Sequence, residues 1–498
     1  MQRLNQANLT QLPANILAPK YAPVAVGNGI VHFGVGNFHR AHQAMYCDAL
    51  LNKGELKWGI TGVSMRSPDM RDHLAPQDYL YTQATLGEHT QYQVVGALQD
   101  ILVAPENPQA VIAAVAKNTT QLITMTITEK GYDLANGELD VSASGVAHDL
   151  DDLSQPRTIY GYIAAGLIQR SAQLSAKLSA NLSAKLTVLC CDNMHAGGEF
   201  VKAGVKLLLA QHSPQTLAWV EANVAFASSM VDRVTPATSE QLKHDVAQEL
   251  GLLDAAPVAA EPFTQWIIED NFAGERPPFD RVGALFVDDI TPFEKVKLRF
   301  LNASHSMLAA MGYLAGDQFI HEALRRSSLA LFAEQALKLN VLPLTHVPST
   351  MSGTTYIDEV LARFRNHNLP YAVLQVGTDS SQKIQQRWFP AIDDALRVGG
   401  ACDYMAFAVA AWASFIRKAL EQNDLNDPLA EAFAQSNAIE NTDTTDYPAR
   451  MHGYLRLAGA QRFDFYHHRA FMDKVAQCHI SIERFGVEQA LSANQILR

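Results

Sequence analysis

The stretch from Ile30 to Val63 constrains the fold more than any other part of this chain. Ile30-Val31-His32-Phe33 is a short apolar run of the kind that forms a buried strand. It passes straight into Gly34-Val35-Gly36-Asn37-Phe38-His39-Arg40. Ala44, Tyr46, Cys47, Leu50 and Leu51 then recur at three- and four-residue spacing, which predicts a helix. Trp58-Gly59-Ile60-Thr61-Gly62-Val63 opens a second strand. Strand, glycine turn, helix and strand within one short segment make a βαβ unit, and such units build parallel sheets.

The glycines give the turn a chemical expectation. Gly34 and Gly36 let the backbone approach a pyrophosphate, and the helix start supplies N–H donors and a positive dipole end. Asn37 and Phe38 complete the turn. Arg40, just inside the helix, is expected to add a charge-assisted bond to phosphate. The third glycine of the dinucleotide fingerprint is replaced by His39. Asp69, beyond the second strand in Met65-Arg66-Ser67-Pro68-Asp69, is the candidate for the ribose hydroxyl and favours NAD over NADP. Arg66 is close enough in sequence to meet a phosphate instead.

Further strands are expected at Ile123–Thr128 and Leu186–Cys191, the second after a long helical stretch. The pattern changes near residue 290. Val282–Val287 is strand-like, and Thr291-Pro292 signals a turn or helix start. Beyond it, Phe293–Leu314, Glu322–Leu339, Tyr356–Asn366 and Cys402–Gln422 carry helical periodicity. The expected class is α/β, with an α/β domain over 1–290 and a mostly α-helical domain over 291–498. Within 171–186, SAQL-SAKL-SANL-SAKL repeats with period four, and its leucines predict a lengthened surface helix with one buried stripe.

Composition narrows the function classes. The formal charge is −12, from 39 basic and 51 acidic residues, which argues against a broad nucleic-acid surface. Five cysteines without a CxxC make neither a disulfide framework nor a plain zinc site, and fit a reducing cytoplasm. The opening residues lack an apolar signal core, and no apolar run approaches 18 residues, so neither secretion nor a membrane span is expected.

The second half carries one chemical constellation, Lys297-x4-Asn302-x2-His305. On a straight α-helix these residues fall at about 0°, 140° and 80°, which one pocket can see. A desolvated lysine serves as a general base near neutral pH, and an asparagine amide donates to an oxygen gaining negative charge. Spacing alone favours a solvated helix face. Other patterns are decoys. Ser380-x-x-Lys383 lacks the companion motifs of serine acyl-enzymes. His321-Glu322 has Arg325 where a zincin places its second histidine. His39-x-x-His42 and Cys190, Cys191 and His195 lack four-ligand zinc spacing, and no GxxxxGK[ST] loop occurs.

In order along the chain stand Gly34–Gln43, Thr128–Tyr132, Cys191-Asp192-Asn193, Met230-Val231-Asp232-Arg233-Val234-Thr235-Pro236, Glu261–Trp266 and Lys297–His305. With these segments the chain resembles the polyol-specific long-chain dehydrogenases, which include mannitol 2-dehydrogenases and fructuronate reductases (mannonate oxidoreductases). The resemblance runs from about residue 30 to the end. It implies a Rossmann-type first domain, a helical second domain, an active site between them and metal-independent hydride transfer with NAD. It further implies Lys297 as acid/base, Asn193 and Asn302 as the oxyanion hole and His305 as a substrate-positioning residue. Asp232 matches a supporting position and is assigned no chemistry.

Substrate choice within that family is mixed in the sequence. Leu4–Leu12 and Asp78–Thr82 look like the mannitol enzymes, while Thr128–Tyr132 and Ser381–Arg387 look like the uronate enzymes. Gln375 stands where mannitol enzymes tend to carry arginine. Lys383 matches a substrate-site lysine of the family, and Arg387, four residues on, shares its face if the segment is helical. Arg363 and Arg365 are further cations of the same kind. The expectation is a keto-sugar-acid reductase acting on D-fructuronate and D-mannonate, with a neutral polyol or ketose as the alternative substrate. A monomer or weak oligomer is expected. A non-catalytic NAD-binding protein is the alternative of a different class, and Lys297, Asn193, Asn302 and His305 together speak against it.

Overall fold

The computed structural model describes every residue except 136, 176–184, 401, 440–446 and 498. The chain divides into two compact units, Met1–Ile290 and Thr291–Arg498. The tetrapeptide repeat falls largely outside the described residues, so its expected stripe has no structural counterpart here.

The first unit is built on an eight-stranded sheet. Its strands are β1 (Ile30–Phe33), β2 (Ile60–Ser64), β3 (Leu98–Val103), β4 (Leu122–Met125), β5 (Leu186–Cys190), β6 (Val224–Asp232), β7 (Gln265–Glu269) and β8 (Leu285–Val287). Their order across the sheet is β8-β7-β6-β5-β4-β1-β2-β3. β1 to β6 run parallel, β7 pairs antiparallel to β6, and β8 is parallel to β7. This is the doubly wound Rossmann order with two strands added at one edge. The order reverses between β1 and β4, and ligands of such sheets bind outside the strand ends at that point.

Period two explains why both faces are buried. On β1, Val31 and Phe33 enter one core with Ile123, Met125, Val188 and Cys190, and the crossover helices add Val111, Val115, Ile163, Leu167, Val201 and Val205. Ile30, Leu122, Leu189 and Cys191 enter the opposite core with Trp58 and Trp266. That second face is covered by α1 (Asn37–Ala41), α2 (Gln43–Asn52) and a small sheet of Tyr81–Leu86, Thr90–Val95 and Val258–Ala260. Strand β4 stops at Met125, three residues short of its alternating pattern, because Thr126–Thr128 turn away to form the edge loop.

Among its described residues the second unit's named elements are all helical, around one large core. Its central helix, Asp403–Glu421, is buried along most of its length. Where periodicity predicts one helix over Phe293–Leu314, the chain forms three pieces. Thr291–Lys297 is α-helical, Leu298–Asn302 is a π-turn, and Ala303–Ala315 resumes the α-helix. The expected Glu322–Leu339 helix is likewise divided into Ile320–Ala323, Ser327–Gln335 and a π-turn at Ala336–Val341. Among the described residues no helix is long and apolar enough to cross a membrane.

Candidate active site

The glycine turn leaves β1 at the switch point. Gly34 has φ +96, and a Cβ there would stand 2.1 Å from Thr126 O, so only glycine fits. Gly36 precedes α1, is exposed, and has open space where a Cβ would stand. Beneath the turn, the His32 Nε2 lies 3.1 Å from Gly34 O, and its Nδ1 lies 2.7 Å from Thr124 Oγ1. A carbonyl only accepts, so the Nε2 carries the proton toward Gly34. His39, in place of the third glycine, stacks on His32 with ring centroids 3.4 Å apart. Burial lowers the His32 pKa to about 3 and holds His39 well below the usual histidine range.

Arg40 departs from its expected role. Its guanidinium is buried, donates to Asn37 Oδ1 at 2.7 Å and to Ala256 O, and lies 5.3 Å from the Tyr81 ring centroid. The inner face of α1 points this side chain at the small sheet, so it braces the turn from beneath rather than offering itself to a phosphate. Asn37 donates to Thr238 Oγ1 at 3.2 Å, and Phe38 stacks on His42. Arg233 donates to Ala41 O at 2.6 Å and to Glu261 O at 2.9 and 3.1 Å. The Met230–Pro236 segment thus straps the end of α1. Nothing in local spacing predicted that role, because its partners lie 192 and 28 residues away. Asp69 is exposed at the start of Asp69–Leu74 and accepts from Ser67 Oγ at 2.9 Å.

Asn193 leaves the end of β5, two strands from β1, and is exposed. Asp192 beside it is buried and accepts from the loop after β4. The same carboxyl edge of the sheet therefore carries the glycine turn, the Thr126–Thr128 loop and Asn193.

In the second unit the π-turn alters the phase of the constellation. Ala303 N–H donates to Leu298 O, a five-residue step, where an α-helix makes a four-residue one. The wider turn delays everything after it by roughly one residue, or about 100°. Asn302 then falls at about 40° and His305 at about −20° from Lys297. With that phasing the three positions share a narrower face than straight-helix spacing predicts. Lys297 is buried, while Asn302 and His305 are half-buried. His305 stacks on Phe364 at 4.5 Å between centroids and meets the Tyr371 ring edge-on at 5.1 Å.

The π-turn is held from outside. Arg299 donates to Leu344 O at 2.9 Å and pairs with Asp394. Arg387 Nη1 donates to Asn302 O at 3.1 Å and to Ser306 Oγ at 2.7 Å, and Trp388 Nε1 donates to Ala303 O at 3.1 Å. The helix that ends in Arg387, Ser380–Arg387, is itself held by Asp427, which accepts Ser381 N–H at 2.9 Å and Ser381 Oγ–H at 2.6 Å. Lys383, one turn before Arg387, donates to Val376 O at 3.3 Å and to Thr378 O.

Comparison with known proteins agrees with this architecture. The mannitol dehydrogenase Rossmann-domain model matches residues 28–281, and the mannitol dehydrogenase C-terminal-domain model matches 289–454. A Phaeosphaeria nodorum mannitol 2-dehydrogenase is 38% identical, over 88% of this chain and 78% of its own. An Escherichia coli D-mannonate oxidoreductase is 34% identical, over 96% of this chain and 98% of its own. The solved Pseudomonas fluorescens mannitol 2-dehydrogenase, in ternary complex with NAD and D-mannitol, is 35% identical, with a TM-score of 0.83 over all of both chains. The chain belongs to the mannitol dehydrogenase family of oxidoreductases.

Proposed function

We propose that this protein is an NAD-dependent oxidoreductase interconverting a keto-sugar acid and its sugar acid, with D-fructuronate and D-mannonate as the pair. The first unit, 1–290, holds the cofactor, and the second, 291–498, supplies the acid/base and the substrate contacts. The observation that carries the sugar-acid reading is Arg387. Its guanidinium is anchored on Asn302 O and Ser306 Oγ, which places a fixed cation against the helix of Lys297, Asn302 and His305. A cation held there suits a substrate carboxylate.

The residues of the first unit fit a dinucleotide. Gly34 and Gly36 present bare backbone, the space over Gly36 is open, and both lie at the switch point. Gly34, Gly36, Asn37 and Phe38 would line the pyrophosphate, Arg40 would support that turn, and Asp69 would meet the adenosine ribose. When bound, the cofactor supplies or accepts the hydride. In oxidation Lys297 takes the proton from the reacting hydroxyl, and in reduction protonated Lys297 returns it. Asn193 and Asn302 donate to the oxygen as negative charge gathers on it. His305, held by Phe364 and Tyr371, orients the sugar. Lys383 joins Arg387 in meeting the carboxylate.

The test is NADH oxidation followed at 340 nm with D-fructuronate and D-fructose offered separately. Fructuronate reduced at least tenfold more efficiently supports the sugar-acid reading. A preference for fructose replaces it with a mannitol 2-dehydrogenase reading, which the similarity to the Phaeosphaeria and Pseudomonas enzymes favours. NADH binding without turnover on either substrate, on tagaturonate with NADH, or on arabinitol with NAD, favours a non-catalytic protein. Within the sugar-acid reading, Arg387→Ala weakens fructuronate binding far more than fructose binding. An equal loss on both substrates reduces Arg387 to a brace of the π-turn.

A further inference from the structure

Asp192 joins two strand ends. Its carboxylate accepts Ile127 N–H at 2.9 Å, Thr128 N–H at 3.0 Å and Tyr132 Oη–H at 2.7 Å. All three donors belong to the loop that follows β4, the sheet neighbour of β5. Asp192 is only 8% exposed, and burial pushes its pKa up, so the three donors are what makes the carboxyl's place there tolerable. The loop it holds is strained. Thr128 has φ 67 and ψ 158, a region that is essentially glycine's, and Thr128 is β-branched. Such a residue persists only where its surroundings over-determine it. Asp192 grips the N–H of that residue.

The other end of the same loop touches the glycine turn. Thr126 Oγ1 donates to Gly34 O at 2.9 Å, and Thr126 N–H donates to Phe33 O at 2.8 Å. A continuous chain of bonded groups therefore runs from Asp192 through residues 126–128 to Gly34.

We propose that Asp192 is a positioning residue, which fixes the strand end carrying Asn193 against the Thr126–Thr128 loop and so aims the Asn193 amide. The proposal rests on the reading of Asn193 as a donor to the reacting oxygen. Asp192→Asn keeps the shape but turns one acceptor into an NH₂ group facing backbone N–H donors. A misplacement of about 1 Å at a reacting group costs about a hundredfold, so a loss of tenfold to a hundredfold in kcat is expected, with the KM for ketose changing little.

The experiment compares Asp192→Asn, Asn193→Ala and the double variant by steady-state kinetics, with fold checked by circular dichroism. If Asp192 acts through Asn193, the double variant is within about threefold of Asn193→Ala alone. An Asp192→Asn enzyme within threefold of the parent overturns the proposal, as do losses that multiply in full in the double variant. Full activity in Asn193→Ala overturns the underlying reading instead, and with it this one. Should Asp192→Asn fail to fold, Tyr132→Phe removes one of the three donors. It is expected to lower kcat in the same direction and with the same non-additivity, and an unchanged kcat overturns the proposal.

Discussion

Gly34 and Gly36 stand two residues apart and answer to different constraints. A methyl at Gly34 collides with Thr126 O in a backbone region unsuited to side chains, so the free protein itself suffers. A methyl at Gly36 meets nothing within 4 Å. Gly34→Ala should therefore lower both the melting temperature and NADH affinity. Gly36→Ala should leave the melting temperature unchanged and weaken only NADH binding, measured by fluorescence titration. Equal NADH affinity in Gly36→Ala and the parent would move the pyrophosphate away from this turn. Lys297→Ala tests the acid/base role. General acid–base groups contribute about 10²–10⁴-fold, so kcat should fall by that order while NADH still binds. Near-normal turnover would remove Lys297 from the chemistry.

At the scale of elements, the π-turn at Leu298–Asn302 and the helix Ser380–Arg387 form one device. Where the α-helix resumes after the π-turn, Asn302 O and Ala303 O also receive Arg387 and Trp388, while Ser304 Oγ–H serves Phe300 O at 2.5 Å. A hydrogen bond of this kind contributes about 0.5–1.5 kcal/mol net. Trp388→Phe, which keeps the ring packing and deletes the N–H, should destabilise the protein by that amount in urea unfolding followed by far-ultraviolet circular dichroism. It should also lower kcat, because the turn that phases Asn302 against Lys297 loses a clasp. A stability loss with kcat intact would separate the clasp from catalysis.

At the scale of the whole molecule, buried neutral histidines contribute to stability on the acid side. His32 is lowered to about 3, His39 well below the usual range and His479 to about 4, each chiefly by burial. Below the unfolded value near 6.5 the unfolded chain takes up protons that the folded chain refuses. Stability is therefore fully present above that pH and falls as the pH drops toward the folded values. The slope is up to about 1.4 kcal/mol per pH unit for each histidine. Asp48 and Asp192, raised mainly by burial, act in the opposite sense nearer the carboxylate range. Melting temperatures should thus begin to fall just below pH 6.5. A flat profile between pH 7 and 5.5 would show that these rings are protonated in the folded state.

The local patterns of the chain determined a good deal. An apolar run ending in Gly34-x-Gly36 and restarting as a helix admits few alternatives to a βαβ turn. Apolar spacing beyond Thr291 marked the second unit as helical, and ordered motifs from Gly34 to His305 carried the family. Those features are legible because periodicity and backbone permissiveness are properties of neighbouring residues. Only the tertiary structure decided the rest. Arg40 faces inward because the small sheet packs on α1. Asp192 grips a loop 64 and 65 residues upstream. The phase of Lys297, Asn302 and His305 departs from straight-helix spacing because the helix widens to a π-turn at Leu298–Asn302. Each of these depends on which distant group arrives to satisfy a buried donor, acceptor or charge, and that is settled only when the layers pack.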